Sequence, residues 1–279
     1  MTMRKILGSV LILALGLPVL AQQVSAPQIR SDTLPALNIS SQEAVSVARK
    51  IWANEFHPIQ NLAGLTDWDP TEAFPSLGIG HFIWYPPGPH GPFTEVFPMY
   101  LAFLREKKVA YPAWLDASPH CPWKNRVEFR RDFHSPRMEE LRAFLARTTG
   151  EQALFMADRL RKALPRMLRS VPPQRRAAVL AQFMRVARSP GGWYPLIDYL
   201  NFKNAGTLAS ERYKGQGWGL LQVLEEMKGS GSGPQALKEF SRAAEFVLER
   251  RVRNSPHHKH DAQWLPIWKI RAASYAKAR

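Results

Sequence analysis

Carboxylates and a glycine-histidine turn are concentrated in one short stretch of the chain. Glu55 stands at the predicted end of a helix, and Asp67-Trp68-Asp69, Glu72 and Ser76-Leu77-Gly78-Ile79-Gly80-His81 follow it. Hydrolysis of a glycosidic bond needs two carboxyl groups: one is protonated and donates to the leaving oxygen, and the other is ionised and activates water or stabilises the oxocarbenium-like centre. The stretch is therefore predicted to carry acid–base chemistry on a glycosidic bond.

The surroundings of these carboxylates predict different roles for them. Glu55 has Trp52 and Phe56 as close sequence neighbours, which would raise its pKa and favour the role of general acid. Asp69 and Glu72 lie in a polar, turn-like stretch and are expected to stay ionised. We therefore expect Glu55 as the acid and Glu72 or Asp69 as the second carboxylate, with Ser76 positioning water or a carboxylate.

The segment from Ser76 to His81 resembles the Thr-Ile-Gly-Ile-Gly-His segment of phage-type lysozymes, glycoside hydrolase family 24. In that family a catalytic Glu ends the first helix, a catalytic Asp follows in a β-hairpin, and a Thr lies on the strand before Gly-Ile-Gly-His. The resemblance implies that Glu55 takes the acid position and Ser76 the Thr position. The gap between them is a few residues longer than in the family, so Glu72, on the strand-proximal side, and Asp69 both remain open for the Asp position.

This resemblance implies a lysozyme-like fold and cleavage of β-1,4 bonds of peptidoglycan, with no metal or organic cofactor. The segment Arg175–Leu180 resembles the central buried helix of those lysozymes. The run Arg251–Pro256 followed by Trp264, Trp268, Arg271 and Tyr275 resembles their C-terminal part. The chain as a whole also resembles a family of secreted bacterial proteins.

A second cluster lies further along the chain. Gly219-Leu220-Leu221-Gln222 is similar to the Gly-Leu-Met-Gln segment of lytic transglycosylases and goose-type lysozymes, which use a single Glu placed before that segment. Glu211 comes closer to the segment than those families usually allow, so the loop is alternatively the far wall of a cleft. Aromatic rings stack on sugars and amides bond hydroxyl groups, so this cluster predicts substrate contacts. The residues predicted to bind substrate are His81, Glu211, Tyr213, Gln216 and Trp218, with Asp198-Tyr199 and Asn201-Phe202-Lys203 on the same wall.

The elements that must position these residues follow from the sequence pattern. Ser40-Ser41-Gln42-Glu43 is typical of a helix start, with Ser41 or Ser40 as the N-cap, and the helix is expected to run to about Glu55. Residues 57–98 are rich in Pro, Gly and aromatics and predict strands and turns, above all at Leu77–Tyr85. Four later segments have apolar residues at helical spacing: Met138–Thr149, Glu151–Leu168, Gln174–Arg188 and Gln235–Val252.

This pattern predicts an α+β fold that is mostly helical. One lysozyme-like domain would span residues 41–279, with a small strand-bearing lobe at about 57–98 and a larger helical lobe at about 99–279. Cys121 is the single cysteine, so no intramolecular disulfide is expected, and its apolar neighbours predict a buried, inert thiol. His257-His258-Lys259-His260-Asp261 is interpreted as a solvated loop rather than a metal site.

The N-terminus is typical of a cleavable signal peptide, predicted over residues 1–21. Arg4 and Lys5 form a positive start, Ile6–Leu17 is apolar but short for a membrane span, and Val19-Leu20-Ala21 has small residues at the cleavage positions. Residues 22–40 are expected to be a flexible segment. The protein is thus expected to be periplasmic or secreted.

The net charge of the chain indicates which class of partner an exported protein of this kind would bind. The formal net charge is +15, and loss of Arg4 and Lys5 with the signal peptide leaves +13. A strongly basic protein is attracted to polyanions, and export disfavours nucleic acid. We expect a monomer without a stable membrane span whose partner is the anionic cell-wall glycan, peptidoglycan. The alternatives are a lytic transglycosylase with one essential Glu, a non-catalytic wall-polysaccharide-binding protein, and a cationic protein of the membrane surface.

Overall fold

The computed structural model describes residues 39–55, 62–89, 91, 93–256 and 259–277, with only the backbone at 54–55. Helix α1 spans Ser41–Glu55, as predicted. It begins with a capping box, in which the Ser40 hydroxyl oxygen accepts from the Glu43 N–H at 3.2 Å and the Glu43 carboxylate accepts from the Ser40 N–H at 2.9 Å. The predicted signal peptide, most of the 22–40 segment and His257-His258 lie outside the described residues.

The strand-bearing part is a three-stranded antiparallel sheet. It consists of β1 (Thr66–Asp67), β2 (Ser76–Leu77) and β3 (Phe82–Ile83), with β2 in the middle. Ser76 pairs with Asp67 on one side and Ile83 on the other. The turn between β2 and β3 is the segment Gly78–His81, so the strands and turns predicted from the sequence are confirmed here.

The rest of the described chain is mainly helical. The helices are α2 (Phe97–Glu106), α3 (Arg126–Arg131), α4 (Pro136–Arg147), α5 (Thr149–Ser170), α6 (Pro173–Ala187), α7 (Trp193–Lys203), α8 (Leu220–Glu226), α9 (Pro234–Asn254) and α10 (Leu265–Tyr275). The four helices predicted from apolar spacing correspond to α4, α5, α6 and α9, with ends that differ by at most two residues. Proline occupies the first turn of α4, α6, α9 and α10, where its missing N–H costs no hydrogen bond.

A hairpin that the sequence did not predict interrupts the helical lobe. Strands β4 (Arg212–Tyr213) and β5 (Gln216–Gly217) pair antiparallel. Their two-residue loop has Lys214 at φ +48° and Gly215 at φ +75°. Left-handed backbone at both loop positions matches the twist of a tight hairpin, and Gly adopts it without steric cost.

One hydrophobic core joins the three-stranded sheet to the helices. The rings of Phe82 on β3, Tyr100 on α2 and Phe155 on α5 form a triangle with centroid separations of 5.2, 5.4 and 5.4 Å. All three are buried, and each buried aromatic side chain contributes roughly 2–3 kcal/mol through loss of its apolar surface from water. The sheet is therefore anchored on α5, and the fold is α+β and mostly helical.

Cys121 belongs to this core and is buried. Burial raises the pKa of its thiol to about 12, so the thiolate is not formed near neutral pH. The predicted burial of Cys121 is confirmed, and its lack of reactivity stays a prediction. Within the described ranges, every helix is too short or too polar to cross a membrane.

Candidate functional site

A cleft of about 340 Å³ lies where the sheet meets helices α7 and α10. Its described lining consists of Glu72, Phe74, Ser76, Gly80, His81, Ile83, Phe93, Asn201, Phe202 and Arg271. The cleft brings together three of the residues predicted for the site: Glu72, Ser76 and His81. Two residues predicted for the far wall, Asn201 and Phe202, face them across the same cavity.

The floor of the cleft is shaped by the Gly78–His81 turn. Gly78 has φ +71°, and a β-carbon there would lie 2.3 Å from the Gln152 Oε1, so only glycine fits. The same Oε1 accepts from the Ile79 N–H at 2.8 Å, while the Gln152 amide donates to the Leu145 carbonyl at 2.7 Å. The buried Gln152 therefore fixes the turn to α4 and α5.

The two walls of the cleft are tied together by Asn201 at the end of α7. Its side-chain amide donates to the Gly80 carbonyl at 2.9 Å, and its Oδ1 accepts from Arg159 at 3.1 Å. Burial, and to a lesser extent the nearby Arg166, lowers the pKa of Arg159 to about 10. Asn201 thus connects the β2–β3 turn to both α7 and α5.

The two candidate second carboxylates lie in different environments. The Asp69 carboxylate accepts from the Thr71 N–H at 2.8 Å and from the Thr71 hydroxyl at 2.6 Å. These hydrogen bonds lower the pKa of Asp69, which fits the predicted ionised state. Asp69 also accepts, through its carbonyl, from the Glu72 N–H at 3.1 Å. Its role in the structure is to hold the turn before β2, and it is not one of the described residues that line the cleft.

Glu72 departs from the expectation. The polar sequence around it predicted an ionised carboxylate. The residue is exposed, but desolvation by neighbouring groups raises its pKa, and the charge of Asp69 adds to this effect. Phe74 and Phe93 line the same cavity as Glu72, and their rings lie 5.9 Å apart. Phe93 is distant in sequence from Glu72, which is why local composition did not reveal this environment. Glu72 and Asp69 therefore have pKa values shifted in opposite directions.

Arg271 of α10 supplies a positive charge in the cleft wall. Its Nε and Nη2 donate to the two carboxylate oxygens of Asp198 at 2.8 and 2.6 Å. Asp198 is fully buried and also accepts from the Tyr275 hydroxyl at 2.6 Å. The Arg271 guanidinium lies 4.4 Å from the ring centroid of Phe202. The sequence pointed to Arg271 only through its C-terminal resemblance, since its partner is distant in the chain.

The second sequence cluster lies apart from this lining. Glu211 is buried, and its carboxylate accepts from the Leu208 N–H at 3.1 Å within its own loop. Trp218 is only 7% exposed, with the Tyr213 ring at 4.4 Å and the Arg251 guanidinium at 4.3 Å. Gln216 is exposed on β5. These four residues are absent from the described lining of the cleft, and the faces of Trp218 are occupied by protein groups.

The side chain of Gln222 in the Gly219–Gln222 segment forms hydrogen bonds with nearby backbone groups. Gln222 accepts from the Gly219 N–H at 3.0 Å and donates to the Gly206 carbonyl at 3.2 Å. Gly219 lies against Gly206, so close that a β-carbon would come within 2.1 Å of the Gly206 nitrogen. The glycines and the glutamine of this motif are therefore explained by packing of the loop before α8.

Lys203, predicted for the far wall, lies behind it. Its ammonium is 3.9 Å from the ring centroid of Phe202 and 3.6 Å from that of Trp268. Burial lowers its pKa well below the usual value, and the charges of Arg251 and Arg271 act in the same direction. Lys203 supports the wall that Phe202 presents to the cleft.

Glu55 is the last residue of α1, and its side chain lies outside the described residues. Helix α1 packs against α5 and α7, the helix that carries Asn201 and Phe202. The assignment of Glu55 as the general acid stays a prediction. In the part of the chain that the structure describes, no group of three or more His, Cys, Asp or Glu side chains could hold a metal ion.

Comparison with known proteins adds no relative. No protein-family model matches the chain, and searches of curated proteins and of solved structures give no significant match.

Proposed function

We propose that this protein is an exported, lysozyme-like glycoside hydrolase that cleaves β-1,4 bonds of peptidoglycan. The observation that carries the proposal is the meeting of Glu72, Ser76 and His81 in one cleft, opposite Asn201 and Arg271. A cavity with convergent polar groups and a carboxyl group of shifted pKa is the usual setting of acid–base catalysis.

The proposed roles follow the chemistry of the residues. Glu55 is the general acid that protonates the leaving oxygen, and Glu72 is the second carboxylate, which activates water or stabilises the oxocarbenium-like centre. Ser76, which lines the same cleft as Glu72, positions the water. The raised pKa of Glu72 also suits an acid, so the pH profile of each variant must decide which carboxyl group donates the proton.

The lining of the cleft suits a sugar chain. Phe93, which is 50% exposed, offers a ring face, Phe74 and Phe202 add apolar surface, and the Asn201 amide and Arg271 offer polar groups. Pyranose rings stack on aromatic faces, while their hydroxyl and acetamido groups need hydrogen-bond partners. The formal charge of +13 expected after loss of the signal peptide favours an anionic wall polymer over a cationic one.

The direct test is digestion of purified peptidoglycan by Glu55→Gln and Glu72→Gln. Loss of a general acid or base slows such reactions by roughly 10²–10⁴-fold, so each variant should clear a wall suspension at least about a hundredfold more slowly. Asp67→Asn is the matched control, since Asp67 lies on β1 outside the described cleft lining. Circular dichroism checks that each variant folds. Full activity in both glutamine variants would reject the proposal.

A lytic transglycosylase is the second candidate. Glu72 is the only acidic side chain among the described residues of the lining, and such an enzyme needs one essential Glu. Mass analysis of the digested wall separates the two reactions, because hydrolysis adds water to the product and transglycosylation leaves an anhydro-sugar. Binding to insoluble peptidoglycan without any lysis would instead indicate a wall-binding protein.

Export is the remaining part of the proposal. The predicted cleavage after Ala21 places Gln22 at the mature N-terminus. Expression of the full chain in a bacterium, followed by cell fractionation and N-terminal sequencing, tests this. A protein that stays in the cytoplasm with Met1 intact would contradict it.

A further inference from the structure

The last helix exposes an apolar face. Trp264, Ile267 and Ile270 recur every three residues and are 43%, 58% and 73% exposed. The opposite face of α10, with Trp268, Ala272 and Tyr275, is buried in the core. A helix with apolar residues on both faces is expected to be covered on both. In the described chain, α10 packs mainly on α9 and on the short turn of helix before it.

The chain around this face is strongly basic. Residues 250–279 contain eight Lys or Arg residues and one acidic residue, Asp261. Asp261 is buried and bonded to Arg251 at 2.9 Å, so its charge is already matched. Arg271 is likewise paired with the buried Asp198, and Arg250, Arg253 and Lys269 lie within 4 Å of Glu226 or Glu249. The excess of positive charge is therefore carried by exposed side chains such as Lys259, before α10, and Lys277, after it.

The neighbouring edge of α9 continues the pattern. Glu249 lies between two cations, with Lys269 of α10 at 2.8 Å and Arg253 at 3.9 Å. One turn earlier the Phe246 ring is 40% exposed, and the guanidinium groups of Arg250 and Arg253 lie 5.5 and 5.8 Å from its centroid. An apolar ring between long cationic side chains is suited to the boundary between water and a lipid layer.

We propose that Trp264, Ile267 and Ile270 insert into the surface of an anionic phospholipid membrane, with the flanking Lys and Arg residues on its headgroups. A helix that lies in the interface buries its apolar face while its basic side chains contact acidic lipids. Charge complementarity selects this partner: a protein partner would need an acidic rim around the apolar face. The proposal does not depend on the glycosidase function, since the face is separate from the described lining of the cleft.

The test is co-sedimentation of the purified protein with vesicles of phosphatidylethanolamine and phosphatidylglycerol, beside vesicles of phosphatidylcholine alone. Wild-type protein should partition to the acidic vesicles and much less to the neutral ones, and added salt should release it. The variant Ile267→Ser with Ile270→Ser should bind at least about a hundredfold more weakly, because two inserted apolar side chains are lost. Val127→Ser on α3 is the matched control, since Val127 is 75% exposed and should not affect binding.

A second variant tests charge with the apolar face left intact. Lys259→Gln with Lys277→Gln should weaken binding to acidic vesicles by roughly fivefold for each charge removed. Both altered residues are exposed, so the variant should melt at the wild-type temperature. This variant keeps the proposal testable if the double serine variant does not fold.

Three results would overturn the proposal. The first is equal partition to acidic and neutral vesicles. The second is a double serine variant that binds acidic vesicles as well as Val127→Ser does. The third is a wild-type dimer in analytical ultracentrifugation that the double serine variant converts to monomer, since the face would then be covered by a second copy of the chain.

Discussion

The side-chain amide of Asn201 donates to the carbonyl of Gly80 at 2.9 Å and thereby links the helical wall of the cleft to the turn that carries His81. Both residues line the cavity. Since Arg159 holds the other end of the same amide at 3.1 Å, the orientation of Asn201 is fixed from two sides. The Asn201 side chain is therefore a direct link between the two walls of the cleft.

Replacement of Asn201 by Ala should loosen the cleft. Two hydrogen bonds are lost, one of them from the cationic Arg159, so the free energy of unfolding should fall by roughly 2–4 kcal/mol while the protein stays folded. Activity on the wall should fall more, by roughly ten- to a hundredfold, because catalysis is sensitive to small displacements of the groups that position substrate. Urea unfolding and turbidity assays measure the two effects. Gln263→Ala, at an exposed position before α10, serves as the control, and equal activity of the two variants would contradict this view of the cleft.

Gln152 supports the β2–β3 turn from inside the protein, so its replacement should reduce stability. Replacing Gln152 by Ala removes the partners of the Ile79 N–H and the Leu145 carbonyl, both inside the protein. Each buried polar group left without a partner costs about 1–3 kcal/mol, so the free energy of unfolding should fall by roughly 3 kcal/mol. The exposed Gln174→Ala on α6 should change it by no more than about 0.5 kcal/mol. If Gln152→Ala lowered the free energy of unfolding as little as Gln174→Ala does, the prediction would be wrong, and water would replace the lost amide.

The ion pair behind the cleft should contribute far more than a surface pair. Asp198 is fully buried, and Asp198→Asn would leave Arg271, whose side chain is 12% exposed, without its carboxylate. Removing one partner of a buried pair typically costs about 3–5 kcal/mol. Asp158→Asn is the matched control, since Asp158 pairs with the exposed Arg161 and Lys162, and such pairs contribute at most about 1 kcal/mol. Denaturant unfolding measures the stability lost in each variant. Equal losses of stability in Asp198→Asn and Asp158→Asn would contradict the prediction.

The sequence predicted the elements whose signals are local. Apolar spacing predicted α4, α5, α6 and α9, and the Ser40–Glu43 box predicted the start of α1. The hairpin β4–β5 escaped because each strand has two residues, too few for an alternating pattern. The sequence signal that could have indicated it is Gly215, because the loop has left-handed backbone at Lys214 and Gly215.

The site was predictable to the same extent. Glu72, Ser76 and His81 lie within ten positions of each other, so one motif pointed to all of them. Arg271 and its contact with Asp198 depend on residues that folding brings together from distant parts of the chain. The burial of Trp218 under Arg251 has the same origin. Residue type alone suggested a sugar-stacking ring there, whereas packing determines whether a ring face is free.

Glu72 gives a pH-dependent test of the environment of the cleft. Desolvation by neighbouring groups and the nearby Asp69 raise its pKa above the ordinary value of 4.5, although the residue is exposed. A carboxyl group whose pKa is raised on folding contributes stability that is fully present below the unfolded pKa and is lost as the pH rises through the folded pKa. Glu72→Gln cannot ionise and so avoids this loss. The stability of the variant relative to wild type should therefore increase from about pH 4 to about pH 7.

Urea unfolding of both proteins across that range measures the difference. Asp69→Asn should show the opposite trend, because the pKa of Asp69 is lowered by its hydrogen bonds to Thr71. Its contribution is present above the unfolded pKa, ordinarily 3.8, and is lost as the pH falls through the lowered folded pKa, so unfolding of this variant is followed down to about pH 2. The variant should be destabilised at neutral pH and approach wild type only below about pH 4. If the two variants followed the same trend with pH, Glu72 would not occupy the desolvated position that suits an acid–base group.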